Sequence, residues 1–221
     1  MKGEPCCLGI LVSGSGTNME NIAEKIEEGY IRGHITVVIS DVEEAYALVR
    51  AGRHGLKAVF MDPSPFSERA EYDRALIRVL EENQVNLVVL AGYMRLVGEG
   101  FVNAYRHRIM NIHPALLPSF PGTSGVADAL DYGVKVSGVT VHFVDEGLDT
   151  GPVILQEAVP VMPGDTRETL HQRIHEVEYR LYPRAISCYC NGLIRVEGRH
   201  VLIMDEDEAK TPDTGRRGTR Q

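Results

Sequence analysis

Short runs of aliphatic and β-branched residues alternate along this chain with longer stretches whose apolar positions follow a helical period. Residues 8–12 (LGILV), 35–39 (ITVVI), 58–61 (AVFM), 87–90 (LVVL) and 108–112 (RIMNI) each read as a buried strand. Between them, 18–28, 45–53 and 67–82 read as amphipathic helices. Ile22 and Ile26 share a face of the first, and Leu76, Val79 and Leu80 point inward from the third. Continuous apolar strands separated by such helices need a sheet covered on both sides. The pattern therefore predicts a doubly wound, mostly parallel α/β fold with helices on both faces. After His113 the rhythm changes: 138–143 (GVTVHF) and 153–156 (VILQ) follow each other with no helix between them. They read as strands added to the end of the same sheet, with an antiparallel arrangement open. A long helix is expected from Asp165, with Asp165 as cap, Glu168 completing a capping box, and Leu170, Ile174, Val177 and Leu181 as its buried stripe. No internal repeat is visible. The expected organisation is one domain over 1–204 and a polar tail over 205–221, where almost nothing apolar could anchor the chain.

Charge and composition narrow the functions. Lys and Arg number 23 against 31 Asp and Glu, a formal net charge of −8 over 221 residues. Binding nucleic acid through its phosphates needs a basic footprint, so no nucleic-acid partner is expected. A hydrophobic content of 43% with 24% charged residues is ordinary for a globular protein and excludes overall disorder. No apolar run approaches the ~20 residues of a membrane span, so no membrane partner is expected. The N-terminus runs from Met1 straight into a strand-like segment, so a signal peptide is not expected and a cytoplasmic location is. Cys6-Cys7 and Cys188/Cys190 lack C-x-x-C spacing and are not expected to form a disulfide framework. A homodimer is left open.

Candidate chemistry gathers at strand ends. Ser13-Gly14-Ser15-Gly16-Thr17-Asn18 joins the first strand to the first helix. Glycines permit the tight turn, and a helix N-terminus offers free N–H groups to an anion. A dinucleotide fingerprint would place a third glycine where Met19 stands, leaving Asp41 as its remaining support, and no Walker lysine is present. One phosphate monoester suits the turn better, and an unliganded tight turn is the plainer alternative. Asn111-Ile112-His113-Pro114 ends a predicted central strand, where alternation puts Asn111 and His113 on one side. A carboxamide donor beside an imidazole can stabilise an oxyanion and carry a proton, the two needs of acyl transfer. The acidic turn from Asp145 to Asp149 could supply a carboxylate that orients a histidine, or be a solvated loop. His171, His175 and Glu178 share one helix face; zinc could be held there, but a partly exposed polar flank is the plainer reading. No acyl-enzyme nucleophile stands out, since Ser13 lacks a G-x-S-x-G context.

Residues 11–18 (LVSGSGTN), 90–96 (LAGYMRL), 111–118 (NIHPALLP) and 139–145 (VTVHFVD) with 148–152 (LDTGP) occur together and in order. This set resembles the folate-dependent formyltransferase family, the phosphoribosylglycinamide formyltransferases (GAR transformylases) in particular, over about residues 7–200. The resemblance implies a Rossmann-like fold and transfer of a formyl group from 10-formyltetrahydrofolate to the amine of glycinamide ribonucleotide in purine synthesis. The folate would be a consumed cosubstrate, the partners small molecules, and no metal would be needed. It implies Asn111, His113 and Asp149 as the catalytic trio. Gly16, Thr17 and Asn18 would hold the ribonucleotide phosphate, Arg69 would add a basic contact to that substrate, and Glu178 would bind its glycinamide end. Met94, Arg95 and Leu96, with Val144, Asp145, Glu146, Gly147 and Leu148, would receive the folate. The amine would attack directly, with Asn111 donating to the oxyanion and His113, kept cationic by Asp149, donating or protonating. Members of the family often carry a histidine after the Pro-Gly that follows the Asn-x-His-Pro stretch; here Pro121-Gly122 leads to Thr123, Ser124, Gly125 and Val126 instead. Methionyl-tRNA formyltransferases would add a C-terminal domain and a basic surface, and formyltetrahydrofolate deformylases a leading regulatory domain. Neither is expected in this chain. A nicotinamide-dependent oxidoreductase and a ligand-binding protein with weakened catalysis are the readings from other classes.

Overall fold

The computed structural model describes residues 5–205. Five parallel strands form the body of one sheet: β1 (Cys6–Val12), β2 (Gly33–Ser40), β3 (Ala58–Phe60), β4 (Leu87–Leu90) and β5 (Ile109–His113). β6 (Val136–Phe143) and β7 (Val153–Pro160) then pair antiparallel, giving the order β3-β2-β1-β4-β5-β6-β7. The doubly wound reading holds, and the two late strands extend the same sheet.

Strand alternation divides the core. Leu8, Ile10 and Val12 of β1 face one layer with α1 (Thr17–Glu27), α2 (Tyr46–Arg53) and α6 (Arg167–Cys190), while Leu11 faces α3 (Arg69–Glu82) and α4 (Glu99–Ala104) on the other. Leu170, Ile174, Val177 and Leu181 form the buried stripe of α6 as expected, each contributing roughly 1.5–3 kcal/mol of apolar burial. Among the described residues no helix is long and apolar enough to cross a membrane.

Several local readings change. The cap of α6 is Thr166, not Asp165: Thr166 and Thr169, rather than Glu168, exchange side-chain and backbone bonds as the capping box. Asp165 lies one residue too early to cap and instead takes Arg173 in a two-point ion pair with both contacts at 2.9 Å. Helix α4, helix α5 (Gly125–Tyr132) and the hairpin of β8 (Ile194–Glu197) and β9 (His200–Ile203) carry no expectation from the sequence. One disulfide does form, Cys6–Cys190. Its cysteines are 184 residues apart, and only the packing of the start of β1 against the end of α6 brings their Cα atoms to 5.2 Å. The expected tail beyond Asp205 lies outside the described residues.

Two contacts fix α6 over the strand ends. The hydroxyl hydrogen of buried Tyr182 is shared between the carbonyls of Leu90 and Met110, each 2.9 Å away. Pro183 inside the helix has no N–H, which frees the carbonyl of Tyr179; Asn21 of α1 donates to it at 2.8 Å. Helices α1 and α6 are thereby joined where strand order reverses between β1 and β4, the place at which open α/β sheets form their crevice.

Candidate active site

A cavity of about 670 Å³ opens at this crevice. Every residue expected at the site lines it: Gly16, Thr17, Asn18, Arg69, Met94, Arg95, Leu96, Asn111, His113, Val144, Asp145, Glu146, Gly147, Leu148, Asp149 and Glu178.

The turn after β1 leaves the N-terminus of α1 open to the cavity. Gly16 has φ of 76°, and a Cβ there would stand 2.5 Å from the Ala47 Cβ, so only glycine fits. The carbonyls of Gly14 and Ser15 are taken up by Ala47 N–H at 3.1 Å and Arg50 Nε–H at 3.0 Å. No side chain caps α1, leaving its first-turn N–H groups for an anion. Asp41 accepts from Ser13 Oγ at 2.6 Å, and Ser13 Oγ accepts from Met94 N–H at 2.9 Å. The carboxylate that supported a dinucleotide reading is therefore engaged in bracing the turn.

The floor comes from β5, β6 and the loop after β6. Asn111 stands opposite His142 in the antiparallel pair, and its Nδ2 lies 3.3 Å from His142 Nε2. His113 Nε2 lies 2.7 Å from the Phe120 carbonyl, and Nδ1 lies 3.4 Å from Asp149 Oδ2. Asp149, at φ of 53°, also accepts from Gly122 N–H at 2.8 Å. Gly151 permits this turn, because a Cβ there would meet the Phe143 carbonyl at 1.8 Å. The loop between β5 and α5 is held by Thr140, which donates to Ala115 O at 2.7 Å and accepts from Leu117 N–H at 3.0 Å.

Electrostatics modify one expectation. Burial draws the His113 pKa below that of an ordinary imidazole, against the upward pull of Asp149 and the Phe120 carbonyl. Asp149 thus opposes the effect of burial on His113 without outweighing it. A carbonyl can only accept, so His113 Nε2–H donates to Phe120, and Nδ1 faces Asp149. For Asp149, burial pushes the carboxyl up. His142, the Gly122 N–H and His113 outweigh that and hold it below the usual carboxylate range.

The opposite rim carries exposed apolar groups: Met94 is 66% exposed, Leu96 61% and Leu148 50%. Asp145 is occupied within its own loop by Gly147 N–H and Thr150 Oγ–H, and Glu146 pairs with Arg106. Arg95 lies over the Tyr72 ring at 5.2 Å. Arg69 reaches the cavity beside Gly98, at the wall formed by 94–99. Across the cavity, buried Glu178 accepts from Asn18 Nδ2 at 3.0 Å, and burial raises its pKa. Ser124 and Val126 line the cavity as well.

His142 is the site residue that the sequence reading left without a role. It stood inside a recognised motif, and its pairing opposite Asn111 was the missing signal. Among the described residues no group of three or more His, Cys, Asp or Glu is arranged to hold a metal ion.

Comparison with known proteins agrees with this geometry. Residues 8–186 match the family model described as formyl transferase. The chain is 41% identical over 178 residues to the phosphoribosylglycinamide formyltransferase of Bacillus subtilis, covering 80% of this chain and 91% of that protein. It is 42% identical over 187 residues to the trifunctional purine biosynthetic protein adenosine-3 of Gallus gallus, of which it spans 19%. Glycinamide ribonucleotide transformylase 1 from Symbiobacterium toebii superposes with a TM-score of 0.91 at 50% identity, over 92% of this chain and 96% of that one. The phosphoribosylglycinamide formyltransferase of Bacillus halodurans gives a TM-score of 0.80 at 44% identity, over 82% and 93%. The chain belongs to the formyl transferase family, among its phosphoribosylglycinamide formyltransferases of purine biosynthesis.

Proposed function

We propose that this chain moves the formyl group of 10-formyltetrahydrofolate directly to the amine of glycinamide ribonucleotide, with Asn111, His113 and Asp149 as the reacting machinery. One observation carries the reading: these three side chains meet on the floor of a single cavity, between the turn of Gly16, Thr17 and Asn18 and the apolar rim of Met94 and Leu96. The turn takes the ribonucleotide phosphate, and Glu178 takes its glycinamide end. Met94, Arg95, Leu96 and the loop from Val144 to Leu148 receive the folate, and Arg69 supplies a guanidinium to the same cavity.

The amine nitrogen attacks the formyl carbon, and the carbonyl oxygen becomes an oxyanion. The Asn111 amide, held 3.3 Å from His142 Nε2, donates to that oxyanion. The attacking nitrogen loses a proton to His113 Nδ1, and the new imidazolium is stabilised by Asp149 and the Phe120 carbonyl. Collapse breaks the bond from the formyl carbon to the folate nitrogen, which takes that proton. No covalent enzyme intermediate is needed.

The test mixes the protein with 10-formyltetrahydrofolate and glycinamide ribonucleotide and follows tetrahydrofolate release. Release that depends on the ribonucleotide supports the reading. Release without it, or none, overturns it.

A further inference from the structure

The cavity wall formed by 94–98 has almost no structure of its own. The chain leaves β4 at Gly92, whose φ is 76°, and reaches α4 without forming a helix or strand. Among the described residues the backbone groups of Arg95, Leu96 and Val97 make no hydrogen bond. Such a segment does not fix its own position, so whatever holds its ends decides where the wall stands.

Both ends are held by side chains from elsewhere in the fold. At the start, Ser13 N–H donates to the Gly92 carbonyl at 3.1 Å, and Ser13 Oγ accepts from Met94 N–H at 2.9 Å. The same hydroxyl donates to Asp41 Oδ1 at 2.6 Å, which uses its one hydrogen and leaves its lone pairs for Met94. At the far end, buried Asp73 of α3 accepts from Gly98 N–H at 2.7 Å. Gly98 has φ of −87° and ψ of 171°, extended backbone that any residue adopts. Glycine is needed there for space instead: a Cβ would stand 2.6 Å from Asp73 Oδ2. Between the two ends, the Arg95 guanidinium lies 5.2 Å from the ring of Tyr72, the neighbour of Asp73 on α3.

We propose that Ser13, oriented by Asp41, and Asp73 are positioning residues for the folate, two pins that set 94–98 in its binding position before the ligand arrives. The proposal deepens the formyl-transfer reading and takes from it the identity of the ligand. The pins stand behind the wall: Met94 and Gly98 line the cavity, whereas the side chains that hold them come from the turn after β1 and from α3. A wall already in place spares the ligand the entropy of ordering it. Each pin needs an acceptor rather than a charge. Burial raises the Asp73 pKa, and an amide oxygen at that position would accept from Gly98 equally well.

Calorimetric titration with tetrahydrofolate in oxygen-free buffer, and separately with glycinamide ribonucleotide, reads the two ligands apart. Ser13→Ala and Asp73→Ala should each weaken tetrahydrofolate binding ~3–10-fold, the effect of one lost hydrogen bond, with ribonucleotide affinity within ~2-fold of the parent. Asp41→Asn and Asp73→Asn keep an acceptor oxygen and should bind tetrahydrofolate as the parent does. Asp41→Ala should lose affinity, yet adding it to Ser13→Ala should cost nothing further, because Asp41 acts through Ser13. Hydrogen exchange in the unliganded protein gives a readout that needs no ligand. The Met94 amide should exchange faster in Ser13→Ala and the Gly98 amide faster in Asp73→Ala, with β4 unchanged in both. Equal losses for both ligands, Asn variants as weak as the Ala variants, or amide exchange that the Ala variants leave unaltered would each overturn the proposal, even if formyl transfer is observed. Exchange that changes as expected in a parent that binds no tetrahydrofolate would instead remove the functional reading and leave the pins standing.

Discussion

Asn111 and His142 stand directly opposite each other on β5 and β6, and the amide nitrogen of the first lies 3.3 Å from Nε2 of the second. His142 Nδ1 lies 2.9 Å from the Phe143 carbonyl, and its Nε2 lies 3.6 Å from Asp149 Oδ1, so this ring links Asn111 to the carboxylate. That link holds the Asn111 carboxamide with its nitrogen beside the ring. A donor, rather than the carbonyl oxygen, is then available where negative charge develops.

Asn111→Ala is expected to lower kcat by about 10²–10³, as for a lost oxyanion donor, with the fold intact. His142→Gln should lower kcat by roughly tenfold with the KM for both substrates unchanged, because it loosens the donor without removing it. Steady-state kinetics with circular dichroism as a folding control decides this. Turnover near the parental value in Asn111→Ala would remove the oxyanion assignment.

His113→Ala should cost about 10²–10⁴ in kcat, the range of a positioned proton carrier. Since burial sets the His113 pKa below the ordinary imidazole value, the neutral, proton-accepting form prevails at neutral pH and is lost as pH falls through that lowered pKa. The profile of kcat with both substrates saturating should therefore show an acid limb below ~6.5. Asp149→Asn removes an upward pull on His113 and should move this limb to still lower pH, along with a fall in kcat. A rate that climbs as pH is lowered would mean that the imidazolium is the working form.

Asn18→Asp places a carboxylate at the N-terminus of α1 and 3.0 Å from the Glu178 carboxylate. Ribonucleotide KM should rise at least ~10-fold while folate KM is little changed, a difference of about 1.4 kcal/mol confined to one ligand. Equal losses for both substrates would make the turn structural.

Glu178→Gln separates stability from binding. Burial raises the Glu178 pKa, so the folded protein disfavours the carboxylate, and the resulting penalty is present at pH above the folded pKa. The variant should melt higher at pH 7, by roughly 2–4 °C for about 1 kcal/mol in a chain of this size, while ribonucleotide KM rises. At a pH below the unfolded carboxylate value the gain should vanish. Differential scanning calorimetry at the two pH values tests the sign.

The hydrophobic pattern by itself determined the sheet and most of its helices. Leu8, Ile10 and Val12 alternate with Leu11, and that alternation requires helices on both sides whatever the details. It also placed Asn111 and His113 on one side of one strand, and local chemistry placed the glycine turn at a helix start. Local signals weakened where elements were short: α4 has six residues, too few for a helical period to stand out. The cap of α6 was misread by one residue, because Asp165 and Thr166 are both competent caps and only the partnership with Arg173 distinguishes them. The tertiary structure alone decided what depends on contacts distant in sequence. The Cys6–Cys190 bridge spans 184 residues, and Asn18 meets Glu178 across 160. The lowered pKa of His113 is equally non-local: a carboxylate beside it pulls it up, and the burial that outweighs this is a property of the packed cavity, which no short stretch of chain contains.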